Sequence, residues 1–294
     1  MARFGSLITA MVTPFDGEGR IDLEGAAALA AWLVEQGNDG LVLTGSTGEG
    51  SVLGDDEQVE VWRAVRAAVD VPLVAATGTN DTAHAVELTG RAAGAGMDGV
   101  LVVTPYYNRP PQAGLEAHFR ALAAATELPV VLYDIPIRSS RKISHDVLMR
   151  LAHEVGNVVG LKDAAANPAE TARVVAEAPE GFEVWAGDDT MTLPMMVVGA
   201  VGIISVAAHW AAPEMSEMVS ALQRGDVVKA RELNALLIES YDFETSDLTP
   251  NPIPAKAMMR VLGQPAGQCR LPLGHAPEGL EARARAVHDR LHTA

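Results

Sequence analysis

The sequence predicts a (β/α)8 barrel of the TIM type with a C-terminal three-helix appendage, and three observations carry that expectation. Short β-type runs alternate with alanine-rich helical stretches, and the alternation continues through eight units of the 294-residue chain. Each strand is followed by a helix, which calls for right-handed crossovers and a parallel sheet. The hydrophobic content of 48% is enough to bury one large core.

In chain order, the predicted strands lie at 7–11, 40–43, 72–77, 99–104, 129–135, 158–163, 182–186 and 202–206. They are short apolar runs bounded by turn residues, the pattern of strands buried on both faces. Helical patterns lie between and after them at 23–36, 55–69, 82–93, 112–126, 145–153, 168–176, 193–198 and 213–224. Asp22 can cap the first helix, Asp55 with Gln58 reads as a capping box at the second, and Gly37, Gly94 and Gly225 stand where helix C-caps belong. Residues 226–294 hold three helical patterns and no strand, separated by Pro/Gly-rich connectors at 248–254 and 263–277. The expected division is therefore a catalytic barrel over 1–225 and a helical region over 226–294.

Composition narrows the function. The chain has 22 Lys plus Arg against 38 Asp plus Glu, a formal charge of −16, which argues against a nucleic-acid or anionic-membrane surface. One cysteine, Cys269, excludes an internal disulfide and fits a reducing compartment. The N-terminal residues run straight into a strand with no apolar leader, so a cytoplasmic protein is expected. The longest apolar run, 193–208, is interrupted by Pro194, Gly199 and Gly202 and is too short for a membrane span. Gly94-Ala95-Gly96-Met97-Asp98-Gly99 matches a dinucleotide fingerprint but follows a helix and precedes a strand, the reverse of the required order. His288 and His292 share a helix face without a third ligand nearby. Neither a metal nor another cofactor is expected.

In such a barrel the active site forms at the C-terminal ends of the strands. Lys162 stands there, closing the run Val158-Val159-Gly160-Leu161-Lys162 before Asp163. A strand-end lysine is ordinarily a surface group, here one that would snorkel to water beside Asp163. Held in a dry pocket, its ammonium would lose a proton and become a nucleophilic amine, able to form an iminium with a ketone. Other strand ends add chemistry: the loop Gly45-Ser46-Thr47-Gly48-Glu49-Gly50, the pair Tyr106 and Tyr107, Tyr133 with Arg138 just beyond, and Gly187-Asp188-Asp189. Tyr133, on the strand beside Lys162, can move protons, and Ser46 with Tyr107 could link it to water. Arg138 offers a planar fork to a substrate carboxylate, or else pairs with Asp134 at the mouth.

These residues sit within longer matching stretches: Gly45-Ser46-Thr47-Gly48-Glu49, Val103-Thr104-Pro105-Tyr106-Tyr107-Asn108, Leu132-Tyr133-Asp134-Ile135-Pro136-Ile137-Arg138, Gly160-Leu161-Lys162-Asp163, Gly187-Asp188-Asp189, Gly202-Ile203-Ile204-Ser205-Val206 and Asn251-Pro252-Ile253-Pro254. On them the chain resembles, over essentially its whole length, the dihydrodipicolinate synthase (4-hydroxy-tetrahydrodipicolinate synthase) family, within the N-acetylneuraminate lyase superfamily of class I aldolases. The resemblance implies a lyase of lysine and diaminopimelate biosynthesis in which Lys162 forms a Schiff base with pyruvate. It implies a proton relay of Tyr133, Ser46 and Tyr107, with Tyr107 donated across a dimer interface, and a homotetramer. Thr47 would bind the pyruvate carboxylate and Ile204 would offer a backbone carbonyl. Arg138 would hold the carboxylate of the second substrate, aspartate-semialdehyde, and Gly187 and Asp188 would be further substrate-binding positions.

Two departures from the family pattern bear on function. Ser46 replaces the first threonine of the usual Gly-Thr-Thr-Gly-Glu, keeping the hydroxyl but not the methyl that restricts its rotamers. His84 stands where lysine-inhibited relatives carry a carboxylate, so weak or absent feedback by lysine is expected. The readings carried beside the synthase are a related pyruvate-dependent aldolase or dehydratase of sugar acids, and a barrel without catalysis that serves in binding.

Overall fold

The computed structural model describes residues 2–293. Eight parallel strands close into a barrel: β1 (Leu7–Ala10), β2 (Gly40–Leu43), β3 (Leu73–Ala76), β4 (Gly99–Val103), β5 (Val130–Asp134), β6 (Val158–Asp163), β7 (Glu183–Ala186) and β8 (Gly202–Ser205), with β8 pairing back onto β1. Around it run α1 (Leu23–Glu35), α2 (Asp55–Ala68), α3 (Thr82–Ala92), α4 (Gln112–Ala124), α5 (Pro136–Ser139), α6 (His145–Glu154), α7 (Pro168–Glu177), α8 (Thr192–Val197) and α9 (Ala212–Gln223). Three further helices follow, α10 (Val227–Phe243), α11 (Ile253–Val261) and α12 (Leu280–Thr293). The strands and long helices lie where the apolar periodicity puts them, with bounds shifted by a residue or two at their ends.

Strand alternation divides the core into two layers. Outward residues such as Leu41, Leu43, Leu73, Val100 and Leu132 pack against Leu29, Leu33, Trp62, Val65, Leu88 and Phe119 of the helices. Inward residues Ile8, Val42, Val74, Leu101, Val131, Tyr133, Trp185 and Ile204 fill the barrel. Phe4 and Trp185, with ring centroids 6.0 Å apart, plug the end where the strands begin. Small residues make that closure possible: a Cβ on Gly99 would lie 2.5 Å from the Phe4 ring, and one on Gly160 would lie 2.8 Å from Trp185. The opposite end, where the strands finish, is left open for a site.

The helix caps agree in part with expectation. Asp22 accepts a hydrogen bond from the Gly25 N–H at 2.8 Å, and Gly37 and Gly225 adopt left-handed φ. At α2 the cap is Gly54 rather than Asp55: Glu57, not Gln58, reaches back to accept from the Gly54 N–H at 2.9 Å. The acidic run Asp55-Asp56-Glu57 makes the register ambiguous in sequence, and the extended backbone of Gly54 decides it. After α3 the left-handed position is Gly96, not Gly94, because one further turn of tighter helix, Ala93–Ala95, intervenes. The short α5 was not anticipated, since four residues are too few to show a helical period.

In the C-terminal segment, α12 turns Leu280, Ala284, Val287 and Leu291 inward on one helical stripe. Ser246 to Asn251, between α10 and α11, bring this segment to the open end of the barrel, where Pro250 and Asn251 become part of the cavity wall.

Candidate active site

Lys162 lies on β6 between Tyr133 of β5 and Trp185 of β7. Because side chains alternate along a strand, Lys162 faces into the barrel while Asp163 faces the helices. There Asp163 accepts from Thr171 Oγ1 at 2.8 Å and from the Ala165 N–H at 2.9 Å, so it gives Lys162 no partner. Lys162 is only 5% exposed, and its Nζ lies 4.5 Å from the centroid of the Tyr133 ring. Desolvation draws the ammonium down to about 8, opposed by the negative charge of Asp189 and assisted by the positive charge of Arg138. Such an amine is mostly protonated near physiological pH but neutral for an appreciable fraction of the time, far more often than an ordinary lysine. Gly187 makes room for it, since a Cβ there would stand 3.0 Å from Lys162 Cγ and 2.9 Å from Ala164.

The cavity above Lys162 has a volume of about 700 Å³ and is walled by the βα loops together with the C-terminal segment. The hydroxyl loop enters it after β2. Gly50 is required there because a Cβ would meet the Thr44 carbonyl at 2.0 Å, and Thr13 Oγ1 donates to the Gly48 carbonyl at 2.7 Å. Thr47 is buried against the wall, and its Oγ1 accepts from Asn251 Nδ2 at 2.9 Å. With a lone pair so engaged, the Thr47 hydroxyl is left with its proton to donate, which suits a carboxylate ligand. The next residue but one, Glu49, is part of the cavity wall, and its carboxylate is held in a buried pair with Lys256, Nζ to Oε1 2.5 Å, and accepts from the Arg270 N–H at 2.8 Å. This strut ties the loop to α11.

The remaining candidates are placed as follows. Tyr133 is buried, and desolvation pushes its phenol above the ordinary range, so it carries its proton in the resting site. Arg138 stands on α5 at the mouth, its Nη2 3.5 Å from the Asn251 carbonyl. It does not pair with Asp134, which instead has Lys142 Nζ at 3.5 Å and accepts from the Ile143 N–H at 3.3 Å. Asp188 lines the cavity while accepting from the Thr190 N–H at 3.0 Å and its hydroxyl at 2.6 Å. Ile204 is packed inside the barrel, in register with Ile8 of β1. Ser46 lines the cavity but is open to solvent within one chain. Tyr107 is 90% exposed, with a left-handed φ of 72°, and does not reach the cavity of its own chain, whereas Tyr106 does.

Reasoning from sequence left three wall residues without a role. Asn251 was noticed only within its Asn-Pro-Ile-Pro stretch, and Glu49 only within the hydroxyl loop. Glu244, just after α10, carries no sequence signal at all, yet its carboxyl end is buried in the cavity wall near Lys162.

Known proteins are similar to this chain over nearly its whole length. The model of the dihydrodipicolinate synthetase family matches residues 3–289. The 4-hydroxy-tetrahydrodipicolinate synthase of Moorella thermoacetica is 44% identical over 290 residues, covering 98% of each chain. That of a Synechococcus species, strain CC9605, is 50% identical over 274 residues, covering 92% of this chain and 89% of the other. A dihydrodipicolinate synthase structure from Bacillus anthracis superposes with a TM-score of 0.94 at 40% identity, covering 100% of this chain and 99% of that one. With a closed eight-stranded barrel, a buried lysine at the end of its sixth strand and a family match spanning nearly every residue, the chain belongs to the dihydrodipicolinate synthetase family.

Proposed function

We propose that Lys162 is the Schiff-base nucleophile of a 4-hydroxy-tetrahydrodipicolinate synthase reaction, joining pyruvate to L-aspartate-4-semialdehyde. The chain is a lyase of the class I aldolase type. The observation that carries the assignment to Lys162 is its isolation: a desolvated amine with no carboxylate in salt-bridge contact among the described residues, facing a tyrosine in a cavity of substrate size.

The neutral amine adds to C2 of pyruvate, whose carboxylate receives the Thr47 hydroxyl proton as a hydrogen bond. Tyr133, protonated at rest, gives its proton to the carbinolamine oxygen, which leaves as water. The phenolate then removes a proton from C3 of the iminium, restoring the phenol and forming the enamine. C3 attacks the aldehyde carbon of the acceptor, and Tyr133 protonates the oxygen that becomes the hydroxyl. The acceptor amine, after shedding a proton to solvent, adds to C2 and closes the ring. Lys162 departs as an amine, taking a proton from the attacking nitrogen, and the ring nitrogen's remaining proton returns to Tyr133. One water and one proton leave overall. Arg138, at the mouth and free of Asp134, is positioned for the acceptor carboxylate, with Gly187 and Asp188 on the wall beside it.

Ser46 and Tyr107 complete the relay in this reading only if Tyr107 comes from a neighbouring subunit, because each chain turns its own Tyr107 outward. A homotetramer built from dimers that exchange this tyrosine is the assembly we propose. The test is borohydride reduction with pyruvate, peptide mapping, and then turnover of aspartate-semialdehyde in a coupled assay. A pyruvate adduct on Lys162 with turnover is the expected result. An adduct on any other residue would remove the assignment.

A further inference from the structure

The mechanism uses Lys162, Tyr133 and Arg138 but leaves a second buried acidic feature unexplained. Asp189 is 2% exposed, and its Oδ2 accepts from the Val206 N–H at 2.9 Å and the Ala207 N–H at 3.0 Å. Its other oxygen, Oδ1, is buried with no donor among the described residues. Glu244 approaches from the far side of the sequence, within hydrogen-bonding reach of Asp189, and its Oε2 is likewise buried without a donor. The hydroxyl of Tyr241, on the last turn of α10, is buried within the field of both carboxylates and has no partner among the described residues. Two carboxylates cannot donate to each other, and unpaired buried acceptors are costly. One proton between the two carboxyls removes the repulsion and gives both unpaired oxygens a partner.

We propose that Glu244 and Asp189 share a single proton as an acid–carboxylate pair, and that its one negative charge is the counter-charge for Lys162 and for the iminium it forms. The pair is a positioning device, touching neither substrate nor reacting atoms. Strand order places it well: β6 is flanked by β5, which brings Tyr133, and by β7, which leads into Asp188 and Asp189. The charged groups facing Lys162 are Asp189, Glu244 and Arg138, and those facing Glu244 are Asp189, Asp188 and Lys162. Desolvation, then the charge of Asp189, push the Glu244 carboxyl well above its ordinary range, in keeping with a retained proton. A full second negative charge would raise Lys162 back toward an inert ammonium, and no charge at all would leave the iminium without a counter-ion.

The inference rests on Lys162 being the Schiff-base residue, and the experiment separates the two. The pH midpoint of pyruvate-dependent borohydride labelling is measured for the parent, Glu244→Gln, Asp189→Asn and the double variant, with thermal melting of each. In Glu244→Gln the amide still donates to Asp189 and the charge remains on Asp189. In Asp189→Asn the loss of that charge lets Glu244 ionise, and the single charge moves. Only the double variant removes it, so its midpoint is expected to fall by about one pH unit and its KM for pyruvate to rise about tenfold, while each single variant shifts less than a third as far. Difference infrared spectra provide a readout independent of activity: a protonated carboxyl band present in the parent and absent in Glu244→Gln. If Glu244→Gln alone shifts the midpoint as far as the double variant, or the double variant does not shift it, or the carboxyl band is missing, the shared proton is refuted. If the parent itself shows no label on Lys162, the Schiff-base assignment fails first.

Discussion

Burial does most of the chemical tuning at Lys162. A lysine drawn down to about 8 is mostly protonated below that pH and increasingly neutral above it. With Lys162 as the proposed nucleophile, attacking in its neutral form, labelling by pyruvate and borohydride should rise with pH through a midpoint near 8. A midpoint near the ordinary lysine value would mean the amine is solvated. Gly187 tests the same site by volume: Gly187→Ala places a methyl 3.0 Å from Lys162 Cγ. The amine and the Ala164 methyl, 2.9 Å away, must both move aside, so kcat/KM is expected to fall roughly ten- to a hundredfold, with a loss of about 1–3 kcal/mol in stability that lowers the melting temperature. Lys162 was legible in sequence because an apolar run ending on a charge is anomalous. Its depressed basicity was not, since desolvation depends on what the other seven strands place around it.

At the scale of elements, the hydroxyl loop and α11 act as one unit. Glu49 and Lys256 are each fully buried and lie 207 positions apart in sequence, joined by a single ion pair. Removing one partner strands the other charge, so Lys256→Ala is expected to cost about 3–5 kcal/mol in urea unfolding. The same change loosens the loop bearing Thr47, so KM for pyruvate should rise. The paired replacement Glu49→Gln with Lys256→Met should recover much of the stability, and failure to recover it would mean that packing rather than charge dominates. Similarly, α5 places Arg138 at the cavity mouth, and Asn251 joins that region to Thr47. Helix and strand periods were readable because they are local. The short α5 and the contacts between loop and segment were not, because they depend on residues distant in the chain.

For the molecule as a whole, two histidines set the response to acid. His209 is fully buried, its Nε2 accepting from the Val12 N–H at 3.1 Å and its other ring nitrogen 2.8 Å from the Val206 carbonyl. Desolvation holds both His209 and His118 down to about 4. The unfolded chain binds these protons near pH 6.5 while the folded chain refuses them until about 4, so stability is lost as pH falls through that window. A loss of roughly 1–3 kcal/mol per histidine is expected, offset in part by Asp134, which burial raises to about 6 and which favours the folded state once protonated. His209→Gln should flatten the melting temperature between pH 6.5 and 4. Assembly has its own test. If Tyr107 serves a neighbouring site, mixing Lys162→Arg with Tyr107→Phe chains and allowing exchange should restore about a quarter of parental activity, since half the dimers are hybrids and each holds one complete site. No recovery after proven exchange would confine Tyr107 to its own chain.

The sequence alone determined the barrel, its eight strands and the lysine at the end of the sixth, because hydrophobic period, strand length and the order of elements are properties of neighbouring residues. It also brought together most of the cavity, since strand ends in a closed barrel converge whatever their separation along the chain. Only the tertiary structure decided that Asp163 faces away from Lys162, that Arg138 is free of Asp134, and that Glu244 comes within reach of Asp189 behind Lys162. Those outcomes turn on burial, facing and the proximity of distant segments, and burial is what converts an ordinary lysine into a reactive amine.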